Sequence, residues 1–180
     1  MSQLLKSAHL EWIADSFTSE KAVAFTLNFR QRSDGILLTQ KTAADTIRRF
    51  NHALCRRAFG SRKASRCTSD FKLNWIAVFE GKASRHRADT QLHCHGLVEV
   101  PEGLSIDAWK KVCAEQWRSL KWADSTSFEL VNYQTPGFIK YMLKNRTKED
   151  WAQAIDLDTL HLSPSRSTSH SPVPLSFHAL

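Results

Sequence analysis

Four segments of the chain alternate between apolar and polar or small residues with a period of two, which is the side-chain period of a β-strand. The three longer segments are residues 22–29 (AVAFTLNF), residues 71–80 (FKLNWIAVFE) and residues 92–100 (LHCHGLVEV). A shorter candidate, residues 128–133 (FELVNY), follows later in the chain. This alternation predicts half-buried strands, each with one face toward a core and one face away from it.

Two segments between these strands instead repeat their apolar positions every three or four residues, as an amphipathic helix does. The first covers residues 42–59 and is followed by Gly60, a residue type that commonly ends helices. The second covers residues 105–120, with Ser105 as a candidate N-cap. A third helix is predicted after Pro136 and includes the sequence GFIKYMLKN.

The predicted order is strand, helix, strand, strand, helix, strand and a last helix. This order is typical of a split βαβ arrangement (βαββαβ), an α+β fold in which an antiparallel sheet carries its helices on one face. The opposite face is then predicted to be open and to carry the active site. We expect residues 1–160 to form one domain, and residues 161–180, which are rich in Ser and Pro, to be a disordered tail.

Composition limits the possible classes of protein. Of the 180 residues 42% are hydrophobic, yet no stretch approaches the roughly 18 consecutive apolar residues that a membrane helix needs. The N-terminal sequence MSQLLKSAHLEW lacks the apolar core of a secretory signal. The cysteines have no CxxC spacing and are expected to be reduced thiols, which predicts a cytoplasmic protein without a membrane partner; they are Cys55, Cys67, Cys94 and Cys113.

Positive charge is concentrated in one part of the chain. The formal net charge is +7, and residues 47–66 contain seven basic residues and no acidic one. A solvated helix usually mixes charges of both signs, so this segment predicts a surface for a polyanion, although a basic surface that serves only solubility is the alternative. The basic residues are Arg48, Arg49, Arg56, Arg57, Arg62, Lys63 and Arg66.

The third predicted strand carries a candidate metal site. His93 and His95 are two residues apart and therefore lie on the same face of the strand, opposite Cys94. If the second and third strands pair as a hairpin, Glu80 lies on that face as well. Two imidazoles and a carboxylate with open positions suit Mg²⁺ or Mn²⁺, and can also hold Zn²⁺ or Fe²⁺. The alternative is that the histidines are only polar residues on an exposed sheet face.

A candidate nucleophile lies in the last predicted helix. The chain has two tyrosines, Tyr133 and Tyr141, and Tyr141 comes three residues before Lys144 in YMLK, on the same helix face. Ionising a phenol at neutral pH costs about 4 kcal/mol, and a nearby ammonium group lowers that cost. The alternative is a partly buried aromatic residue beside a solvent-exposed lysine, because Y-x-x-K alone is a common sequence.

Taken in order, the motifs AFTLNF, Glu80 with LHCHGLVEV, and YMLK resemble the three-motif signature of the HUH superfamily of rolling-circle replication initiators, the Rep endonucleases. The resemblance covers residues 22–145, and the lone tyrosine of the last motif is similar to the single-tyrosine type. Cys94 departs from the signature, which normally has a bulky hydrophobe at that position. The tyrosine pair of two-tyrosine initiators and the third histidine of relaxases are missing.

The resemblance implies a role for each of these residues. His93, His95 and Glu80 would hold a divalent cation, Mg²⁺ or Mn²⁺, that polarises and positions the scissile phosphate. Tyr141 would attack that phosphate in single-stranded DNA at a replication origin, giving a covalent link to the 5′ end and a free 3′-OH, while Lys144 assists. The implied function is initiation of rolling-circle replication of a plasmid or phage-like element.

The resemblance also implies partners. The basic segment 47–66 would bind the backbone of single-stranded DNA, a host DNA polymerase and a host helicase would act at the same origin, and no small-molecule substrate is expected. The chain has no G-x-x-x-x-G-K-[ST] loop of its own. Two alternatives stay open: a transposase of the same superfamily, and a non-catalytic module of the RNA-recognition type, which would need aromatic residues on the open face.

Overall fold

The computed structural model describes Ile13, Phe17 and residues 22–65, 71–81, 91–131 and 155–162. Within these residues the chain forms an α+β fold built on a four-stranded antiparallel sheet. The elements are β1 (Ala22–Phe29), β2 (Arg32–Ser33), β3 (Ile36–Leu37), α1 (Gln40–Phe59), α2 (Ser61–Ala64), β4 (Trp75–Glu80), β5 (His93–Glu99), α3 (Ile106–Arg118) and β6 (Ala123–Val131).

The large sheet has the strand order β4-β5-β1-β6, and each neighbouring pair is antiparallel. The short strands β2 and β3 form a separate hairpin, whose turn contains Asp34 and Gly35 in the left-handed region (φ 50° and 77°). The arrangement is compatible with a ferredoxin-like fold. No helix in the described part of the chain is long and apolar enough to cross a membrane.

The helix boundaries follow from capping residues. The Thr39 side chain accepts a hydrogen bond from the Thr42 backbone N–H, so α1 begins at Gln40, two residues before the predicted start. Gly60 follows α1 with a φ of 81°, which confirms the predicted stop. The Ser105 side chain accepts from the Ala108 backbone N–H, which confirms the predicted N-cap of α3.

Two strand boundaries differ from the sequence predictions. β4 begins at Trp75 and not at residue 71; just before it, the backbone N–H of Asn74 donates to the Glu99 side chain. β6 begins at Ala123, before the predicted start at residue 128. The helix predicted after Pro136 lies outside the described residues.

The main core lies between the sheet and the helices α1 and α3. Alternate residues of β1, β4 and β5 point into it and meet the apolar stripes of both helices. Phe25 stacks on Trp75 with ring centroids 4.7 Å apart, and it approaches β5 at Gly96. A Cβ at Gly96 would overlap the Phe25 ring and the Ile76 carbonyl oxygen, so only glycine fits there. The close packing of β1 against β5 therefore depends on this residue.

A second apolar cluster covers part of the opposite sheet face. It joins Ile76, Val78 and Leu97 of the sheet to Ile13, Phe17 and Ile155 from segments outside it. The prediction that this face is open is therefore wrong for this part of the sheet. Apolar side chains explain the difference, because burying one such side chain stabilises the fold by about 1.5–3 kcal/mol and makes a cover favourable.

The segment 155–162 runs along the outer edge of β4. Bridges join Val78 to Ile155 and Trp75 to His161, and the Asp156 backbone N–H donates to the Ala77 carbonyl at 2.9 Å. The edge strand thereby gains partners for backbone groups that would otherwise be exposed. The sequence predicts that His161 begins the disordered tail as a surface residue, but it is partly buried against β4; residues 163–180 lie outside the described part.

Candidate metal centre

Three polar side chains meet where β4 ends and β5 begins. The antiparallel register sets Glu80 opposite His93 and Val78 opposite His95. On the other side of β5, Thr26 of β1 lies opposite His95. Glu80, His93 and His95 therefore share one sheet face, as their spacing in the sequence predicts, and their ligand atoms all lie within 4.8 Å of one another.

The nearest atoms in this cluster are the ones that bind metals. The two Nε2 atoms of His93 and His95 are 3.0 Å apart, with the imidazole rings nearly perpendicular. The Glu80 Oε2 atom lies 3.4 Å from His95 Nε2 and 3.6 Å from His93 Nε2. The side chains are between 13% and 26% exposed, so they are held by the protein yet open to an entering ligand.

The other ring nitrogens hold both imidazoles in place. His93 Nδ1 lies 2.8 Å from the Gln91 carbonyl oxygen. A carbonyl oxygen only accepts, so Nδ1 carries the hydrogen and a neutral His93 directs the lone pair of Nε2 into the cluster. His95 Nδ1 lies 2.9 Å from the Thr26 hydroxyl, which can donate or accept. Such outer partners orient metal-binding histidines in many proteins.

The Thr26 hydroxyl can pair with either tautomer of His95, because it can donate or accept. If a cation were bound, Thr26 would accept from His95 Nδ1, and His93, His95 and Glu80 would be the residues that hold the cation. In the other tautomer Thr26 would donate to Nδ1, and His95 Nε2 would donate to His93 Nε2. Three acceptor atoms this close repel one another unless a proton or a cation lies between them. The donor set therefore fits a divalent cation.

Electrostatics favour the neutral form of His95. Burial lowers the pKa of its imidazole, and the positive charge that His93 can carry lowers it further, while Glu80 acts in the opposite direction. A neutral imidazole is the form that binds a metal, so a lowered pKa reduces competition from protons.

Cys94 lies between the two histidines in sequence but on the other face of the sheet. Its side chain is buried in the main core. Burial raises the pKa of the thiol far above its ordinary value, so no thiolate forms at neutral pH. Cys94 is therefore a packing residue and not a fourth ligand.

The structure does not bring the described basic residues to this cluster. Arg48, Arg49, Arg56 and Arg57 are exposed on α1, which packs on the sheet face opposite the histidines. Arg62 and Lys63 lie on α2. The remaining predicted site residues, Tyr141, Lys144 and Arg66, lie outside the described residues, as does Tyr133.

The chain was compared with known proteins in three ways. A scan against protein-family models, a search of curated proteins and a search of solved structures each found no match. A function for this chain is therefore inferred from its own residues and from the geometry of the cluster.

Proposed function

We propose that the protein is a metal-dependent endonuclease that nicks single-stranded DNA and transfers the strand through a covalent tyrosine intermediate, as HUH replication initiators do. The observation that carries the proposal is the convergence of Glu80, His93 and His95 on one point of the sheet. The strand order β4-β5-β1-β6 with antiparallel neighbours supports the split βαβ arrangement that this class of enzyme has.

His93 and His95 would bind the cation through Nε2, and Glu80 through a carboxylate oxygen. Mixed nitrogen and oxygen ligands favour Mn²⁺ over Mg²⁺, although Mg²⁺ also suits a site that acts on phosphates. A bound cation would polarise the scissile phosphodiester and neutralise charge that develops on it. Thr26 and the Gln91 carbonyl would keep both imidazoles aimed at the cation.

Tyr141 is the proposed nucleophile. Its phenolate oxygen would form a bond to the phosphorus atom as the bond from phosphorus to the 3′ oxygen breaks, and the leaving 3′ oxygen would take up a proton. Lys144 would lower the cost of ionising the phenol and stabilise negative charge on the phosphate. The phosphotyrosine bond keeps the energy of the phosphodiester, so a later 3′-OH can rejoin the strand without ATP.

The proposed substrate is single-stranded DNA at the replication origin of a plasmid or phage-like element in the cytoplasm. The freed 3′-OH would prime a host DNA polymerase, and a host helicase would unwind the duplex. The basic surface and the net charge of +7 support a polyanionic partner. A small-molecule substrate is not part of the proposal.

The alternative to an enzyme is a non-catalytic module of the RNA-recognition type. That class stacks bases on aromatic residues of the open sheet face. Where β4 ends and β5 begins, the described residues of β1, β4 and β5 on this face are polar and include no Phe, Tyr or Trp: Thr26, Asn28, Glu80, His93 and His95. This composition favours metal chemistry over stacking. A transposase of the same superfamily would share the cation site, and it would act on the ends of a mobile element instead of a replication origin.

The proposal is tested by looking for the covalent adduct. Labelled single-stranded DNA from the region that flanks the coding sequence is incubated with the protein and Mn²⁺, and the products are separated on a denaturing gel. We expect a labelled protein band that chelator abolishes. Tyr141→Phe should remove the band, whereas the matched variant Tyr133→Phe should keep it. A band that persists in Tyr141→Phe, or no band with any flanking sequence, would refute the proposal.

A further inference from the structure

A cleft of about 410 Å³ opens on the side of the sheet that carries α1, away from the metal centre. One wall is α1, and the facing wall is the segment 158–161, which follows the bridge of residue 155 to β4. The volume lies within the range of pockets that hold small ligands. The residues of the metal centre do not line this cleft, whereas Arg48 and Arg49 of the basic segment do.

The inner part of the cleft is apolar. Cys55 and Ala64 are buried at its base, and Phe71 lines it with partly exposed surface; Leu160 also borders it, with its side chain packed against the second apolar cluster. The Phe71 ring packs edge-on against Phe59, with centroids 6.1 Å apart, and so has a defined orientation. An apolar base with an aromatic wall suits a flat, uncharged ring system.

The rim of the cleft is cationic. Arg48, Arg49 and Lys72 are exposed along it, and Asp158 is the one acidic residue among its lining residues in the described part of the chain. Arg48 is held by an ion pair with Asp45 at 2.7 Å. Among the described residues, Arg49 makes no ion pair. Guanidinium groups bind phosphate with two parallel hydrogen bonds, which an ammonium group does not match.

The wall opposite α1 is held by a hydrogen-bonded chain. Trp75 Nε1 donates to the Thr159 hydroxyl at 3.2 Å, and that hydroxyl donates to Asp156 Oδ2 at 2.7 Å. Asn51 of α1 donates to the Thr159 carbonyl at 3.4 Å, which links both walls. The cleft is therefore preformed, and a ligand would not have to order it on binding.

We propose that this cleft binds a nucleotide unit, with the base against Phe71 and the phosphate on Arg49. The apolar base of the cleft and its cationic rim match the two halves of a nucleotide, and stacking of a base on an aromatic residue stabilises binding in a sequence-tolerant way. The ligand is either a free nucleotide or one unit of a bound single strand, because both present the same chemistry.

The proposal is separate from the nicking reaction. β4 runs from the cleft, near Trp75, to the metal centre at Glu80, a distance of about 17 Å along the strand, and the two sites lie on opposite sheet faces. Binding in the cleft needs no cation and no nucleophile. It can therefore be measured in chelator, where failure of the nuclease proposal would not affect the result.

The test uses fluorescence anisotropy in chelator with two probes, a fluorescent deoxynucleoside monophosphate and a fluorescent oligothymidylate. Arg49→Gln is compared with Lys41→Gln, which also removes one positive charge from an exposed position of the same helix, outside both the cleft and the basic segment 47–66. We expect Arg49→Gln to weaken binding by about tenfold and Lys41→Gln by less than about twofold, because only the first removes a direct phosphate contact. Both positions are exposed, so unchanged circular dichroism is expected.

Weakening with both probes would support a site for free nucleotides, and weakening with the oligonucleotide alone would support a site for one unit of a strand. If the two variants lost the same amount of affinity, only the overall surface charge would matter, and the proposal would be overturned. It would also be overturned if the protein bound neither probe. Photo-crosslinking of an oligonucleotide with iodinated bases gives a second readout. We expect the crosslinked peptide to contain Phe71 or residues 158–161, and crosslinks confined to other peptides would also overturn it.

Discussion

At the scale of single residues, Thr26 decides which nitrogen of His95 faces the cluster. Its hydroxyl lies 2.9 Å from His95 Nδ1, while His95 Nε2 lies 3.0 Å from His93 Nε2. The parity of β1 in the sequence puts Thr26 on the same face as the histidines. It does not reveal that β1 pairs with β5 in the register that sets Thr26 against His95, because strand register depends on the packing of the whole sheet.

Removing the Thr26 hydroxyl should weaken metal binding. In Thr26→Val the His95 Nδ1 hydrogen loses its acceptor, so the orientation that directs Nε2 to the cation is less favoured. We expect the Mn²⁺ dissociation constant, measured by calorimetry, to rise by about 10- to 100-fold. Thr26→Ser keeps the hydroxyl and should restore most of the affinity. Equal affinities in Thr26→Val and the parent protein would show that the hydroxyl does not position His95.

The lowered pKa of His95 predicts how the stability of the metal-free protein depends on pH. Burial holds the pKa of the folded imidazole below its ordinary 6.5, so the unfolded chain binds this proton more readily. The stability that the neutral imidazole contributes is present above about pH 6.5 and is lost as the pH falls through the lower pKa of the folded state. We expect the free energy of unfolding in urea, measured in chelator, to decrease over that window.

The control for this pH dependence is His95→Gln, whose side chain does not titrate. Its free energy of unfolding should decrease less over the same window, because one of the groups that takes up a proton on unfolding is gone. Curves of equal slope for the two proteins would contradict the assignment of the lowered pKa to His95.

At the scale of elements, β5 performs two tasks with its two faces. One face presents His93 and His95, and the other packs Cys94 and Val98 into the main core. Both tasks are readable in the sequence, because alternation with a period of two separates the faces. The stop of α1 at Gly60 and the N-cap of α3 at Ser105 are also predicted, because capping depends on neighbouring residues, whereas the N-cap of α1, Thr39, lies before the predicted start at residue 42.

The segment 155–162 could not be predicted in this way. Its apolar and polar residues alternate over residues 155–158 and again over 160–162, but the phase changes at Thr159, so the pattern does not predict one strand. Its place in the fold comes from pairing with the edge of β4. Ile155 joins an apolar cluster with Ile76 and Val78, which are far away in sequence. Contacts of this kind depend on tertiary packing, so the partial cover of the histidine face and the cleft beside α1 became visible only in the structure.

The packing of β1 and β4 against β5 at Gly96 contributes to the stability of the fold. In Gly96→Ala the new methyl group would overlap the Phe25 ring and the Ile76 carbonyl oxygen, so β1 and β4 would have to shift away from β5. We expect a loss of about 1–3 kcal/mol in the free energy of unfolding by urea titration. Phe25→Leu in the same chain removes part of the overlap, so the double variant should lose less than the sum of the single losses. Additive losses would contradict the proposed clash.

At the scale of the whole molecule, the sheet separates the metal centre from the positively charged surface of α1. The metal centre lies on one face, and α1 with its exposed arginines lies on the other. A DNA strand that reached both would have to pass around an edge of the sheet, and the cleft lies beside such an edge, where β4 meets the segment 158–161. The net charge of +7 adds a long-range attraction that does not depend on either site.

This separation predicts that DNA binding and metal binding can be lost independently. In chelator, His95→Gln should bind an oligonucleotide within about twofold of the parent affinity, with the same dependence on salt, because the arginines are untouched. Filter binding or anisotropy at several salt concentrations measures both quantities. A large loss of affinity in His95→Gln without metal would mean that the histidine face itself holds the DNA.

The most direct test is a calorimetric titration of the protein with Mn²⁺. If Glu80, His93 and His95 form one site, the parent chain binds one ion, and each of Glu80→Gln, His93→Gln and His95→Gln binds it at least about tenfold more weakly. His52→Gln, which changes an exposed histidine of α1, should bind as the parent does. Parent-like affinity in the three cluster variants, or no binding by the parent chain, would contradict the assignment of this cluster as a metal site.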